Sequence, residues 1–165
     1  MTAPAPHVVF ASENGIVGSY GNVIVWRWLG APNDETLAVV RREVATLLKA
    51  SPDGIGSLHV IQLPDATFPD DVQRKKIVQL RVDCAYAIQA SALLFEGDGI
   101  RGAIIRSLVT AVMLASGNKR PQVVFGTAPA AITWLRAQLG TPAPDALGLA
   151  RAIALVKETE PGSTR

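Results

Sequence analysis

Residues Ser91–Leu139 read SALLFEGDGIRGAIIRSLVTAVMLASGNKRPQVVFGTAPAAITWLRAQL, and this stretch decides the fold. Ala92–Phe95 is a short apolar run without alternation, the pattern of a strand buried on both faces. Gly97 and Gly99 interrupt it. From Ile100 to Ser116 the positions Ile104, Ile105, Leu108, Val109, Val112 and Met113 recur at helical spacing, and Gly117-Asn118 supplies a stop. Val123–Phe125 is a second continuous apolar run. Thr127 and Pro129 suit the start of a further helix, whose stripe Ile132, Leu135 and Leu139 ends at Gly140. Two such strands joined through a helix predict a right-handed parallel crossover.

Upstream, Val8–Ala11 reads as a short edge strand. Ile16–Tyr20 and Val23–Leu29 flank Gly21-Asn22, a two-residue hairpin signal. In the second of these strands Ile24, Trp26 and Trp28 alternate with Val23, Val25, Arg27 and Leu29, so both faces call for cover. A helix follows from Asn33 or Asp34 to about Lys49, with Leu37, Val40, Val44, Leu47 and Leu48 on one stripe. Ser57–Leu63 is the next strand and Pro64–Pro69 a turn-rich connection. Asp70–Ala90 reads as one long helix or two short ones, with Ile77, Leu80, Cys84 and Ile88 at helical spacing. A last helix runs from Asp145 to about Lys157. The expected fold is α/β: a mixed sheet of about five strands with helices mostly on one face. Residues 1–14 form a tail with an edge strand, 15–140 the domain, and 141–165 a C-terminal helix and polar tail.

Composition narrows the function classes. The 165 residues are 48% apolar and 18% charged, sufficient for one folded core. A net charge of +2 gives no ground for expecting nucleic acid or an anionic membrane as partner. Cys84 is the one cysteine, which rules out an internal disulfide and favours a reducing compartment. The N-terminal residues lack the basic start and apolar core of a signal peptide. The uncharged stretch Pro121–Leu135 is shorter than a membrane span and holds two prolines. The expectation is a cytoplasmic protein without a membrane span.

Candidate sites are few. Gly97-Asp98-Gly99-Ile100-Arg101-Gly102 matches the G-x-G-x-x-G pattern between a strand and a helix, where a pyrophosphate could approach free N–H groups. The following strand ends in Gly126-Thr127 with no acid for a ribose. A tight turn is therefore the plainer reading of Gly97, Gly99 and Gly102, and a smaller anion near Arg101 is the ligand reading. Arg74, Lys75, Lys76 and Arg81 form a basic patch without interleaved aromatics, a solvated helix face. His7 and His59 stand apart from any metal-spaced cluster, and His59 reads as a strand residue. No metal or cofactor is expected, and no nucleophile or acid–base pair has supporting spacing. Trp26 and Trp28 share one strand face: either core, or a docking or homodimer surface if left open. The helix Ile104–Leu114, apolar nearly all round, is either deeply buried or part of a subunit interface.

The order of elements resembles the STAS domain of anti-sigma factor antagonists and sulfate transporter tails. It is closer still to STAS-like bacterial proteins of unassigned activity, whose fold is shared with lipid-transfer domains. Three pieces carry the resemblance: VIVWRWLG leading into DETLAVVRREVATLL, LHVIQL followed by PDATFPDDV, and VVFGTAPAAITWL. The likeness is one of fold. In the antagonists an Asp-Ser or Asp-Thr turn is phosphorylated by a partner kinase. Here Asp70 matches the Asp, and Asp71 stands where the hydroxyl belongs. The resemblance thus implies a phospho-switch that is absent or moved, with Thr67 the nearby hydroxyl. It implies a non-enzymatic protein-interaction module in bacterial signalling or scaffolding, recognising a protein partner through Asp65, Thr67, Asp70 and Asp71. The alternative is a nucleotide, anion or lipid held at Gly97–Gly102.

Overall fold

The computed structural model describes residues 4–62, 68–97 and 99–163. Six strands form one sheet in simple sequence order: β1 (His7–Ser12), β2 (Gly15–Tyr20), β3 (Val23–Trp28), β4 (Ile55–Ile61), β5 (Ile88–Leu94) and β6 (Gln122–Phe125). The pairs β1–β2 and β2–β3 are antiparallel, and the remaining three are parallel. Gly21 turns β2 into β3 with φ of 57°, and no other residue of that turn has positive φ, as a type II′ hairpin requires. The predicted neighbours pair as expected: Leu93 lies against Val124 and Leu94 against Phe125, pointing the same way.

Parallel neighbours need crossovers, and helices supply them. α1 (Asp34–Ala50) links β3 to β4, α2 (Asp71–Asp83) links β4 to β5, and α3 (Gly99–Ser116) links β5 to β6. α1 starts where the Asn33 carboxamide accepts from Thr36 N–H at 2.8 Å, and it buries Leu37, Val40, Val44 and Leu47 on Val17, Ile24 and Trp26. α4 (Ala128–Leu139) and α5 (Ala146–Glu158) cover the opposite face, on Tyr20, Val23, Val25, Leu58, Ala92 and Leu94. The majority of helices lies on one face, and the other face is covered as well. This is why β3 is apolar in both registers.

Two boundaries depart from the sequence reading. The sheet has six strands, because the N-terminal segment His7–Ser12 pairs with β2 on both sides of a register shift at Val9. The segment expected as helix up to Ala90 is helix only to Asp83; Cys84 caps it, and β5 begins at Ile88. Cys84, Ala87 and Ile88 all pack into the cluster beneath α1 and α2. A turn and a strand start therefore fill the places that helical spacing had suggested.

Long-range bonds fix α5. Asp145 caps its N-terminus, accepting from Gly148 N–H at 2.8 Å, and takes a short hydrogen bond from the Tyr20 hydroxyl. At the other end the Arg27 guanidinium donates to the carbonyls of Val156, Lys157 and Thr159 at 3.1, 2.9 and 3.2 Å. Those are the orphan acceptors of a helix C-terminus, where a cation is also favoured by the helix dipole.

Candidate functional site

Register places one group of side chains on the sheet face beneath α1, α2 and α3. Parallel pairing sets Ile24 beside Ser57, Trp26 beside His59 and Trp28 beside Ile61; on the next strand Ser57 stands beside Ser91 and His59 beside Leu93. Alternation sends all of them to the same side. Trp26 and Trp28 stack with ring centroids 4.2 Å apart, and His59 lies 5.8 and 5.9 Å from the two rings. Above them α2 contributes Ile77, Leu80 and Arg81, and α3 contributes Ile105, Val109 and Val112. A cavity of about 120 Å³ remains between the layers, with mostly apolar walls.

The polar groups in this cavity form a directed chain. Trp28 Nε1 can only donate, and it reaches His59 Nδ1 at 3.0 Å. His59 Nε2 must therefore carry the ring proton, which it gives to Ser57 Oγ at 3.1 Å. Ser57 in turn donates to Ser91 Oγ at 2.7 Å. Ser91 lines the cavity, and no described residue accepts its hydroxyl proton. Burial, aided by the Arg81 charge, holds His59 down at about 4, so the ring is neutral near pH 7 and the chain keeps this direction. Ser57 gives its proton away from the imidazole, and the imidazole's Nδ1 faces an indole rather than a carboxylate. This is not the arrangement in which a histidine activates a serine.

Among the described residues Arg81 is the one cation on the cavity wall. Burial lowers its pKa, and its described bonds go to neutral oxygens: Nε to Ser116 Oγ at 3.0 Å and Nη2 to the Arg120 carbonyl at 3.5 Å. It thereby ties α2 to the C-terminal end of α3. Burial also pushes the Cys84 thiol, on the same wall, up to about 11, so it is a protonated packing group. Among the described residues no group of His, Cys, Asp and Glu could hold a metal ion.

The residues singled out from sequence fall in three places. Trp26 is buried and Trp28 half-buried, and both line the cavity instead of standing open as a docking face. Asp65 and Thr67 lie outside the described residues. Asp70 caps α2 in a capping box with Gln73, and Asp71 pairs with Arg74 in the same turn; both carboxylates are exposed. Asp98 also lies outside the described residues. Gly97 precedes α3, Gly99 opens it with φ of 70°, Arg101 is exposed, and Gly102 is buried near the Gly97 carbonyl. This turn stands at the N-terminal end of α3, whereas the cavity is lined by α3 only from Ile105 onward. Sequence reasoning does not bring His59, Ser57, Ser91 and Arg81 together; it puts Arg81 on a solvated helix face, whereas the side chain is half-buried on the cavity wall. A Ser-x-His pattern on a strand was their one local signal. Comparison with family models, curated proteins and solved structures finds no match.

Proposed function

We propose that the protein is a binding module for a small apolar molecule bearing one hydrogen-bond-accepting or anionic head group. The observation that carries this is the cavity beneath α2 and α3: apolar walls, an aromatic floor, and a Ser91 hydroxyl and Arg81 guanidinium as donors. An apolar pocket with a few convergent polar groups is the usual form of a small-molecule site. At about 120 Å³ it suits a single ring or a short acyl chain, since apolar cavities of comparable size take up benzene. The directed hydrogen-bond chain favours holding over turnover, because the neutral His59 has no proton-accepting site left to offer a substrate.

Trp26 and Trp28 report occupancy directly. Titration with benzoate, hexanoate and octanoate should change tryptophan emission and raise the melting temperature. At a hundred times Kd the stabilisation is about 2.7 kcal/mol, or roughly 5–10 °C for a chain of this size. Val109→Phe, which fills the space from the α3 side, should remove both responses. No response from any of the three, or an undiminished response in Val109→Phe, rejects the reading.

The exposure of Asp70 and Asp71 supports a second reading, the protein-interaction surface that the STAS resemblance implies. Asp70→Asn with Asp71→Asn keeps the cap and removes both charges. Undiminished capture of a protein partner by that variant would dismiss this surface.

A further inference from the structure

α3 has two faces of different use. Its inner face, with Ile105, Val109 and Val112, closes the cavity. Its outer face is apolar too: Ile100, Ile104, Ala111 and Leu114 follow helical spacing, and Ile100 is 80% exposed, Ile104 43% and Leu114 79%. Ser107 interrupts the stripe, as does Thr110, whose hydroxyl is satisfied by the Arg106 carbonyl at 2.9 Å. By length and composition α3 passes as a membrane-crossing helix, with a mean hydropathy of 1.4. Its ends argue for another placement. It runs from the end of β5 to the start of β6, and those strands are paired neighbours; Ile105 and Val109 pack it on the sheet residues Ile61 and Leu93. A helix tied in this way lies flat with one side outward.

Charge selects what that side meets. Between Gly99 and Pro144 the sequence has no Asp or Glu, although the chain as a whole is only +2. Arg106 flanks the outer stripe, and Lys119 and Arg120 follow the C-terminal end of α3; all three are exposed, and among the described residues no carboxylate pairs with them. We infer that the outer face of α3 docks on an anionic lipid surface, with Ile100, Ile104 and Leu114 entering the acyl boundary and Arg106, Lys119 and Arg120 meeting the headgroups. A second copy of the chain is the poorer partner. Two such faces would bring cations together with no acid on either helix to answer them. The inference does not depend on the ligand reading, because the outer and inner faces of α3 use different residues.

The test is flotation of the full chain with vesicles of phosphatidylcholine alone and of phosphatidylcholine mixed with phosphatidylglycerol. Binding should be much stronger to the mixed vesicles and should weaken with salt. Each basic residue is worth roughly fivefold near such a surface, so Arg106→Gln with Lys119→Gln and Arg120→Gln should lower partitioning by about a hundredfold. Ile100→Ser with Leu114→Ser should lower it at least about tenfold without changing the melting temperature, since both side chains already face water. The same double variant should keep the tryptophan response to cavity ligands, which separates this inference from the ligand reading. Equal or absent binding to the two vesicle types overturns the proposal. So does a concentration-dependent dimer in sedimentation that Leu114→Ser abolishes, because the face would then belong to a second copy.

Discussion

His59 makes the fold acid-sensitive in a defined window. Its ring is held at about 4 against an ordinary 6.5, chiefly by burial and secondarily by the Arg81 charge. The unfolded chain therefore binds a proton that the folded chain refuses. Stability from this residue is fully present above about pH 6.5 and is lost as pH falls towards 4. The gap of about 2.5 units, at 1.36 kcal/mol per unit, makes the full loss about 3 kcal/mol, a sizeable part of an ordinary domain's stability. Asp83 and Asp145 are also shifted, downward from 3.8 by their hydrogen bonds, so their contributions fall away only at still lower pH. The measurement is urea unfolding at several pH values between about 7 and 4 on the wild type and on His59→Gln. Glutamine can accept from Trp28 and donate to Ser57 while carrying no titratable proton. The wild-type curve should fall steeply through this window and the variant's should stay flat. Parallel curves would refute the assignment of a half-buried, neutral His59.

Two further predictions concern the anchoring of α5. A Cβ on Gly148 would overlap the Tyr20 ring and hydroxyl, and that hydroxyl is pinned by Asp145. Gly148→Ala should therefore destabilise by about 3 kcal/mol, overriding the better helix propensity of alanine, and a net gain in a urea titration would show that α5 rides clear of Tyr20. Arg27→Ala strips three carbonyls of their donor and should cost about 2 kcal/mol, with Arg27→Lys recovering only part; an unchanged urea midpoint would mean that water replaces the guanidinium without loss.

What was legible in the chain was local. The α3 segment, the hairpin at Gly21 and the α1 stripe follow from periodicity and turn chemistry, because the residues that set them are neighbours in sequence. The error at α2 has the same origin. Cys84 and Ile88 stand four and eight positions beyond Leu80, and burial in one cluster demanded apolar residues there whether or not the helix continued. The candidate site is non-local. Trp28, Ser57, His59 and Ser91 become a chain only when three strands align in one register, and the Ser57-x-His59 pair is the one part of it visible in sequence. The bonds that fix α5 span 125 residues and more, from Tyr20 to Asp145 and from Arg27 to Val156. The apolar character of α3 was plain, but its exposure was not, since a buried helix and an unpartnered one have the same composition.

The two faces of the sheet are built to different standards, and the difference bears on where a ligand could exchange. On one face α4 buries Ala131, Ile132, Leu135 and Leu139, and α5 is bonded to the sheet at both ends. On the other, α1 is secured by six buried residues, whereas α2 buries only Leu80, and α3 only Gly102, Ile105 and Val112. Elements with little buried apolar surface are the first to open. α2 and α3 are also joined to each other through Arg81 and Ser116, so they can move as one lid. On the proposed reading, a ligand reaching Trp26 and Trp28 has to displace only that pair and leaves the sheet, α1 and the α4–α5 layer in place. The cavity thus lies where opening costs least, and the outer surface of the same lid is the apolar face of α3.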